Sequence, residues 1–201
     1  MRSRMSELFD RLKRLFDEGH GAELADLRSD ARFAPPEIRP AAVLIAVTDR
    51  PDPGVILIHR PEAMRAHPGQ IAFPGGKLDP GEGAVQAALR EAHEELAISP
   101  SEVCVIGASD RFVTGTGYDV TPVLGLMPPD IPLVPNPHEV ASWFEAPLGF
   151  LLDPANHLHK TGEWRGHPRS YIEIDWQGHR IWGITAAIIA NLSRRLAWSG
   201  H

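Results

Sequence analysis

At 201 residues, with 43% hydrophobic and 23% charged side chains, the chain has the composition of an ordinary globular protein, long enough for one well-buried domain and short for two. A formal net charge of -6 argues against a general binder of nucleic acid or anionic membrane, while leaving room for a local basic pocket. The single cysteine excludes an intrachain disulfide, and no apolar run approaches the roughly 20 residues of a membrane span. The charged start MRSRMSELFDR lacks the apolar core of a secretory signal, so the expected compartment is cytoplasmic.

Leu8, Phe9, Leu12, Leu15 and Phe16 recur at helical spacing and predict an amphipathic helix over 6–18. Interleaved Glu7, Asp10, Asp17 and Glu18 favour packing on the domain or on a second copy of the chain over lying on a membrane, so a homodimer is an open expectation. A short helix is expected around 22–28, before the Pro35-Pro36 loop. Residues 41–48 and 55–60 are apolar and β-branched, with two prolines between them, which is a hairpin signal. The segment PEAMRAHPGQIAFPGG holds too much Pro and Gly for regular structure. Its backbone N–H groups, with Arg65, His67 and Gln70 as polar heads, suit phosphate oxygens.

Residues 83–97 predict a helix opened by the Pro80-Gly81 turn, with Val85, Ala88, Leu89, Ala92 and Leu96 on the buried side. Glu91, Glu94 and Glu95 fall at i, i+3 and i+4, so they project together from another side. Two like charges about 4 Å apart repel by roughly 4 kcal/mol at an effective dielectric of ~20. Helix propensity contributes only tenths of a kcal/mol per residue, so a convergent cluster calls for a hard divalent cation, which takes carboxylate oxygens and shares its other positions with phosphates. The plainer alternative is a solvated acidic face. Arg90, four residues before Glu94, can pair with a carboxylate and hold its rotamer.

Beyond this helix, 103–108 and 118–126 read as strands around a turn at Gly115 and Gly117, and Cys104 in the apolar run VCVIG is expected to be a buried structural thiol. Five prolines make 128–137 an irregular loop, and Glu139 follows it. A helical turn at 148–152, strands at 157–161, 171–176 and 179–182, and a closing helix at 184–198 complete the chain; Arg194 and Arg195 suit a helix C-terminus. His157 and His159 have no partner at zinc-finger spacing, which argues against zinc.

The central stretch resembles the Nudix box: Gly, five residues, Glu, seven residues, then Arg-Glu-apolar-any-Glu-Glu-any-Gly-apolar. Gly76, Glu82, Arg90, Glu91, Ala92, Glu94, Glu95 and Ile98 match it. Ala97 stands where the family has Gly, which argues against a left-handed cap at the helix end. Residues 56–76 resemble the second signature of coenzyme A diphosphatases, with Arg60, Arg65, Gly69, Phe73, Pro74, Gly75 and Gly76 at its spacing and Ile58 and Pro61 departing from it. TGTGYDVTPVLG is similar to the same subfamily, and the likeness runs from about residue 38 to 195.

This resemblance implies an α/β protein of Nudix fold, an α/β/α sandwich with a mixed central sheet and a loop-helix-loop. It would form a single domain over 1–201, with 1–35 as a helical extension. It implies Mg²⁺ or Mn²⁺ held by Glu91, Glu94 and Glu95, a base at Glu94 or Glu139, and Glu82 and Arg90 as support. Arg60, Arg65, His67, Gln70, Phe73, Gly75 and Gly76 become the substrate-binding candidates, with the arginines on phosphates and Phe73 on the base or pantetheine arm. The substrate implied is coenzyme A or its derivatives, cleaved to 3′,5′-ADP and 4′-phosphopantetheine or its acylated form. The alternatives are a Nudix hydrolase of ADP-ribose or another nucleotide, or a non-catalytic nucleotide-binding module of the same fold. An isomerase on this fold is weaker, since Cys104 is not placed for that chemistry.

Overall fold

The computed structural model describes residues 6–62, 69–164 and 166–198. Helix α1 (Glu7–His20) forms where the apolar periodicity places it; the Ser6 side chain caps it by accepting from the Phe9 N–H at 3.2 Å, and Leu12 and Phe16 are buried. The helix expected around 22–28 does not form. Its backbone is claimed by tertiary partners instead: Arg194 donates to the Ala25 and Asp26 carbonyls, and the Asn191 amide pairs with both the N–H and C=O of Arg28. These bonds replace the i to i−4 ladder, and Asp26 takes a left-handed φ of 59°.

Strands β1 (Arg39–Thr48), β2 (Gly54–His59), β3 (Ile71–Ala72) and β4 (Gly75–Lys77) precede helix α2 (Ala84–Leu96). After it come β5 (Cys104–Ala108), β6 (Phe112–Val113), β7 (Tyr118–Met127), β8 (Ser142–Pro147) and the short helix α3 (Leu148–Leu152). Strands β9 (Leu158–Trp164), β10 (His167–Trp176) and β11 (His179–Trp182) and helix α4 (Gly183–Leu196) close the chain. The main sheet runs β3-β2-β1-β7-β5, with β4 on β1, β6 on β7 and β8 on β2. It is mixed: β1 and β7 are parallel from Arg39 opposite Tyr118 to Thr48 opposite Met127, and the other pairs are antiparallel. The hairpin β1–β2 is present as expected, while β3, β4, β6 and β8 are additions, three of them too short to carry a readable alternation.

The alternation along β1 divides the protein into two cores. Ala42, Leu44 and Ala46 face Ala88, Ala92 and Leu96 of α2, whereas Ile45 and Val47 face the layer that contains α1, α3 and α4. An α/β/α sandwich follows directly from that pattern. The small sheet β9–β10–β11 packs against α4 and meets β2 through His59 Nε2 and His179 Nδ1, 3.0 Å apart, with Phe144 stacked on His179. Among the described residues, no helix is long and apolar enough to cross a membrane.

Two expectations need correction. Cys104 is exposed, because it opens the edge strand β5, while Val103 just before the strand and Ile106 within it take the buried positions. Ala97 does adopt the left-handed conformation, with φ 60° and ψ 24°, and its N–H closes on the Ala92 and His93 carbonyls. The geometry of the helix end therefore survives without glycine, at a steric cost of about 1 kcal/mol.

Candidate active site

Helix α2 packs along both β4 and β1, and Glu91 comes up against β4. A Cβ on Gly76 would stand 2.4 Å from the Glu91 carboxyl, and one on Gly75 would stand 2.4 Å from the Ala42 carbonyl. Only glycine lets β4 pass between α2 and β1 so closely. The Gly75 N–H in turn donates to Glu95 Oε2 at 2.9 Å.

Arg90 organises the acids around it. Its Nε and Nη2 grip the two oxygens of Glu82 at 2.9 and 3.0 Å, Nη1 reaches Glu91 at 3.0 Å and Glu94 at 3.1 Å, and Nη2 also donates to the Lys77 carbonyl. This fork holds the Glu82 carboxyl below the usual range and raises Arg90 further above its own. Glu82 thus fixes the Arg90 guanidinium.

Glu95 is the most constrained acid, only 3% exposed. Burial pushes its carboxyl up to about 8; the Gly75 N–H and Arg60 oppose the shift, and Glu91 and Glu139 add to it. Burial also raises Glu91, with Glu94 and Glu139 adding to the effect and Arg90 opposing it. Glu139 therefore shares one electrostatic neighbourhood with Glu91 and Glu95. The proline loop brings it there: Val134 N–H bonds to the Leu96 carbonyl and Asn136 N–H to the Glu95 carbonyl, both at 2.9 Å. These bonds satisfy carbonyls that the end of α2 leaves open. Glu139 N–H then closes a turn onto Asn136 at 3.0 Å.

The remaining candidates divide. Arg60, at the end of β2, has its Nε buried with no hydrogen-bond partner, and it acts electrostatically on Glu95. Gln70 joins it through its carbonyl, which accepts from Arg60 N–H at 3.0 Å. Arg65 and His67 lie outside the described residues. Phe73, at 3% exposed, belongs to the core on the α4 side, so it anchors the loop. The exposed aromatic here is one the sequence reading passed over. Trp143, 39% exposed, stands opposite Ile58 in the β2–β8 ladder, and Ile58 packs in the α2 core. Cross-strand partners share a face, so Trp143 projects on the α2 side. The signal available in the sequence was the Ser142–Pro147 strand, obscured by its proline and charge.

All the donors in this cluster are hard oxygens, the kind magnesium-like ions take. Among the described residues no three acidic, His or Cys side chains already converge into a cage, since Arg90 engages Glu91 and Glu94. The donor set nevertheless fits a divalent cation. A Glu95 pushed towards protonation by its burial, with Glu91 and Glu139 adding to the effect, is the group that a nearby cation would return to its charged form.

A family model described as the NUDIX domain matches residues 38–170. The chain belongs to the Nudix hydrolase family. An Enterobacter relative described as an uncharacterized Nudix hydrolase, NudL, is 39% identical over 188 residues, covering 89% of this chain and 97% of its own. The NudL of Escherichia fergusonii, described in the same words, is 43% identical over 160 residues, covering 79% and 83%. Among solved structures, a Nudix hydrolase from M. smegmatis, RenU, is similar at a TM-score of 0.48 and 26% identity over 55% of this chain and 71% of that one. Nudix hydrolases generally use divalent metal ions, in keeping with the oxygen donors gathered here.

Proposed function

We propose that this Nudix hydrolase cleaves the diphosphate of coenzyme A and its acylated or oxidised derivatives, giving 3′,5′-ADP and 4′-phosphopantetheine or its derivative. The reading rests on one observation: the pattern Arg60, Arg65, Gly69 and Phe73-Pro74-Gly75-Gly76 directly precedes the acidic helix, with the Arg60 Nε buried and unpartnered. A buried guanidinium edge without an acceptor favours an anionic ligand beside it.

In this reading Glu91, Glu94 and Glu95 hold Mg²⁺ or Mn²⁺. When bound, such an ion neutralises phosphoryl oxygens and makes a water more acidic. The chain's own residues do the rest. Arg60 meets a phosphate, and Gly75 and Gly76 let the β4 backbone approach it. Arg90 holds Glu91 and Glu94 in place. Since Arg90 already engages Glu94, Glu139 is the better base. It takes the proton of the attacking water as the new P–O bond forms and the bridging P–O bond breaks. Trp143 replaces Phe73 as the surface on which the adenine stacks. The unit is the whole chain, with residues 1–35 as a helical extension, the partner is a small molecule, and the compartment is the cytoplasm.

The test is a panel of diphosphates incubated with purified protein and Mg²⁺ or Mn²⁺, with products identified by mass. The expected products are 3′,5′-ADP and phosphopantetheine from coenzyme A. Hydrolysis of ADP-ribose or a nucleoside triphosphate with coenzyme A untouched would overturn the substrate assignment.

A further inference from the structure

On the side of the sheet away from α2, a cavity of about 100 Å³ is lined by Arg28, Arg32 and Arg169, with Asp30 as the single carboxylate among its lining residues. Phe112, 2% exposed, belongs to its floor, and the start of α4 at Gly183 to its wall. The cavity is built from clamped parts. The Asn191 amide fixes the Arg28 peptide through bonds of 2.8 and 3.0 Å, and Asn191 itself is 4% exposed. Asp30 N–H bonds to the Val113 carbonyl at 2.8 Å, and its carboxylate pairs with Arg169. Arg32 lies with its guanidinium 4.5 Å from the Phe33 ring centre.

Charge is the telling quantity. Three guanidinium groups face one carboxylate, a local surplus of two positive charges in a chain whose formal net charge is -6. Arg28 and Asp30 are partly buried: burial lowers the Arg28 guanidinium against the pull of Asp30, and raises the Asp30 carboxyl against the pull of Arg169, Arg32 and Arg28. A surplus of positive charge at a partly buried site is offset when an anion enters it, and guanidinium forks match tetrahedral oxyanions. The wall reinforces the preference, because the first turn of α4 contains no acidic residue and no side-chain cap. The volume is far below that of pockets that enclose drug-sized molecules, so it suits one oxyanion group rather than a whole nucleotide.

We propose that this cavity is a phosphate-binding site, separate from the diphosphate site, which takes inorganic phosphate or the phosphate of a monoester. The two sites lie against opposite cores: Phe112 and Ala187 of the cavity belong to the α4 layer, and Glu95 sits on α2 above the other. Occupation would tie together the strap at 28–32, β10 and the start of α4, the elements that the ligand touches. This inference does not depend on which diphosphate the enzyme cleaves.

Titration calorimetry on the full chain, kept metal-free with a chelator, tests it with inorganic phosphate and glycerol 3-phosphate as separate ligands and chloride at matched ionic strength as control. Binding of inorganic phosphate identifies the free ion as sufficient; binding of glycerol 3-phosphate alone identifies a monoester as the source. In either case Arg28→Gln and Arg32→Gln should each weaken affinity by about tenfold or more, and Arg60→Gln should leave it unchanged. Arg32 is exposed, so its variant should fold as the parent does, and circular dichroism checks this. Absence of binding by both ligands, or binding lost in Arg60→Gln and retained in Arg32→Gln, would overturn the proposal.

Discussion

Two arginines on opposite sides of the sheet show how this protein uses charge. Arg195, 8% exposed near the end of α4, grips both oxygens of Asp110 at 2.8 Å and donates to the Gly19 and Ala22 carbonyls. Every charge there is matched, and the result fastens α1 to α4. Arg90 instead serves Glu82, Glu91 and Glu94 at once, while Glu95 stays buried beside them with its carboxyl pushed up. The balanced cluster stabilises; the unbalanced one gathers more acid than Arg90 offsets, as functional sites often do.

The sharpest way to break that comparison is Glu95→Gln. Turnover on whichever diphosphate proves to be the substrate should fall at least about a hundredfold, while the metal-free protein keeps or gains stability because a buried acid has been neutralised. Steady-state kinetics alongside thermal melting checks both halves. An unchanged rate would remove the proposed metal role.

Asp110→Ala should do the opposite: it leaves Arg195 without its carboxylate, costs about 2 kcal/mol of stability and spares kcat. Urea unfolding measures the loss. The effect should also depend on pH. Arg195 holds the Asp110 carboxyl below its ordinary value. A depressed acid contributes its stability above the unfolded pKa of about 3.9 and loses it as pH falls through the lower folded value. The gap between parent and Asp110→Ala should therefore be full at neutral pH and shrink below about pH 4.

A smaller effect is expected at the end of α2. Ala97→Gly should stabilise by about 1 kcal/mol, because glycine adopts the observed left-handed φ without a Cβ penalty. Unfolding midpoints in denaturant report it. Smallest of all is the solvated pair Lys13–Asp17 on α1, with side chains 43% and 57% exposed. Lys13→Ala should shift stability by roughly 0.3 kcal/mol, and the shift should fade in high salt.

Much of the site was legible because its residues are near neighbours on one helix. Spacing alone placed Glu91, Glu94 and Glu95 on one face and Arg90 within reach of Glu94. The long strands were legible too, through the alternation that later divides between two cores. The burial of Phe73 was not legible because an aromatic in a glycine-rich loop gives no sign of which side of the sheet it enters. Cys104 was misread because an apolar run does not reveal that its strand lies at an edge. The helix expected at 22–28 failed because Asn191 and Arg194, more than 160 positions away, take its backbone groups.

The amino-acid sequence by itself determined the family, the acidic helix and the order of the major elements, since each of these depends on spacings within about twenty residues. Tertiary structure alone decided that the proline loop would dock on the end of α2 and bring Glu139 beside Glu91 and Glu95. It also decided that Trp143 would share their face, and that Arg28, Arg32 and Arg169 would meet around a cavity. Such meetings join segments far apart in the chain, and no local periodicity encodes them.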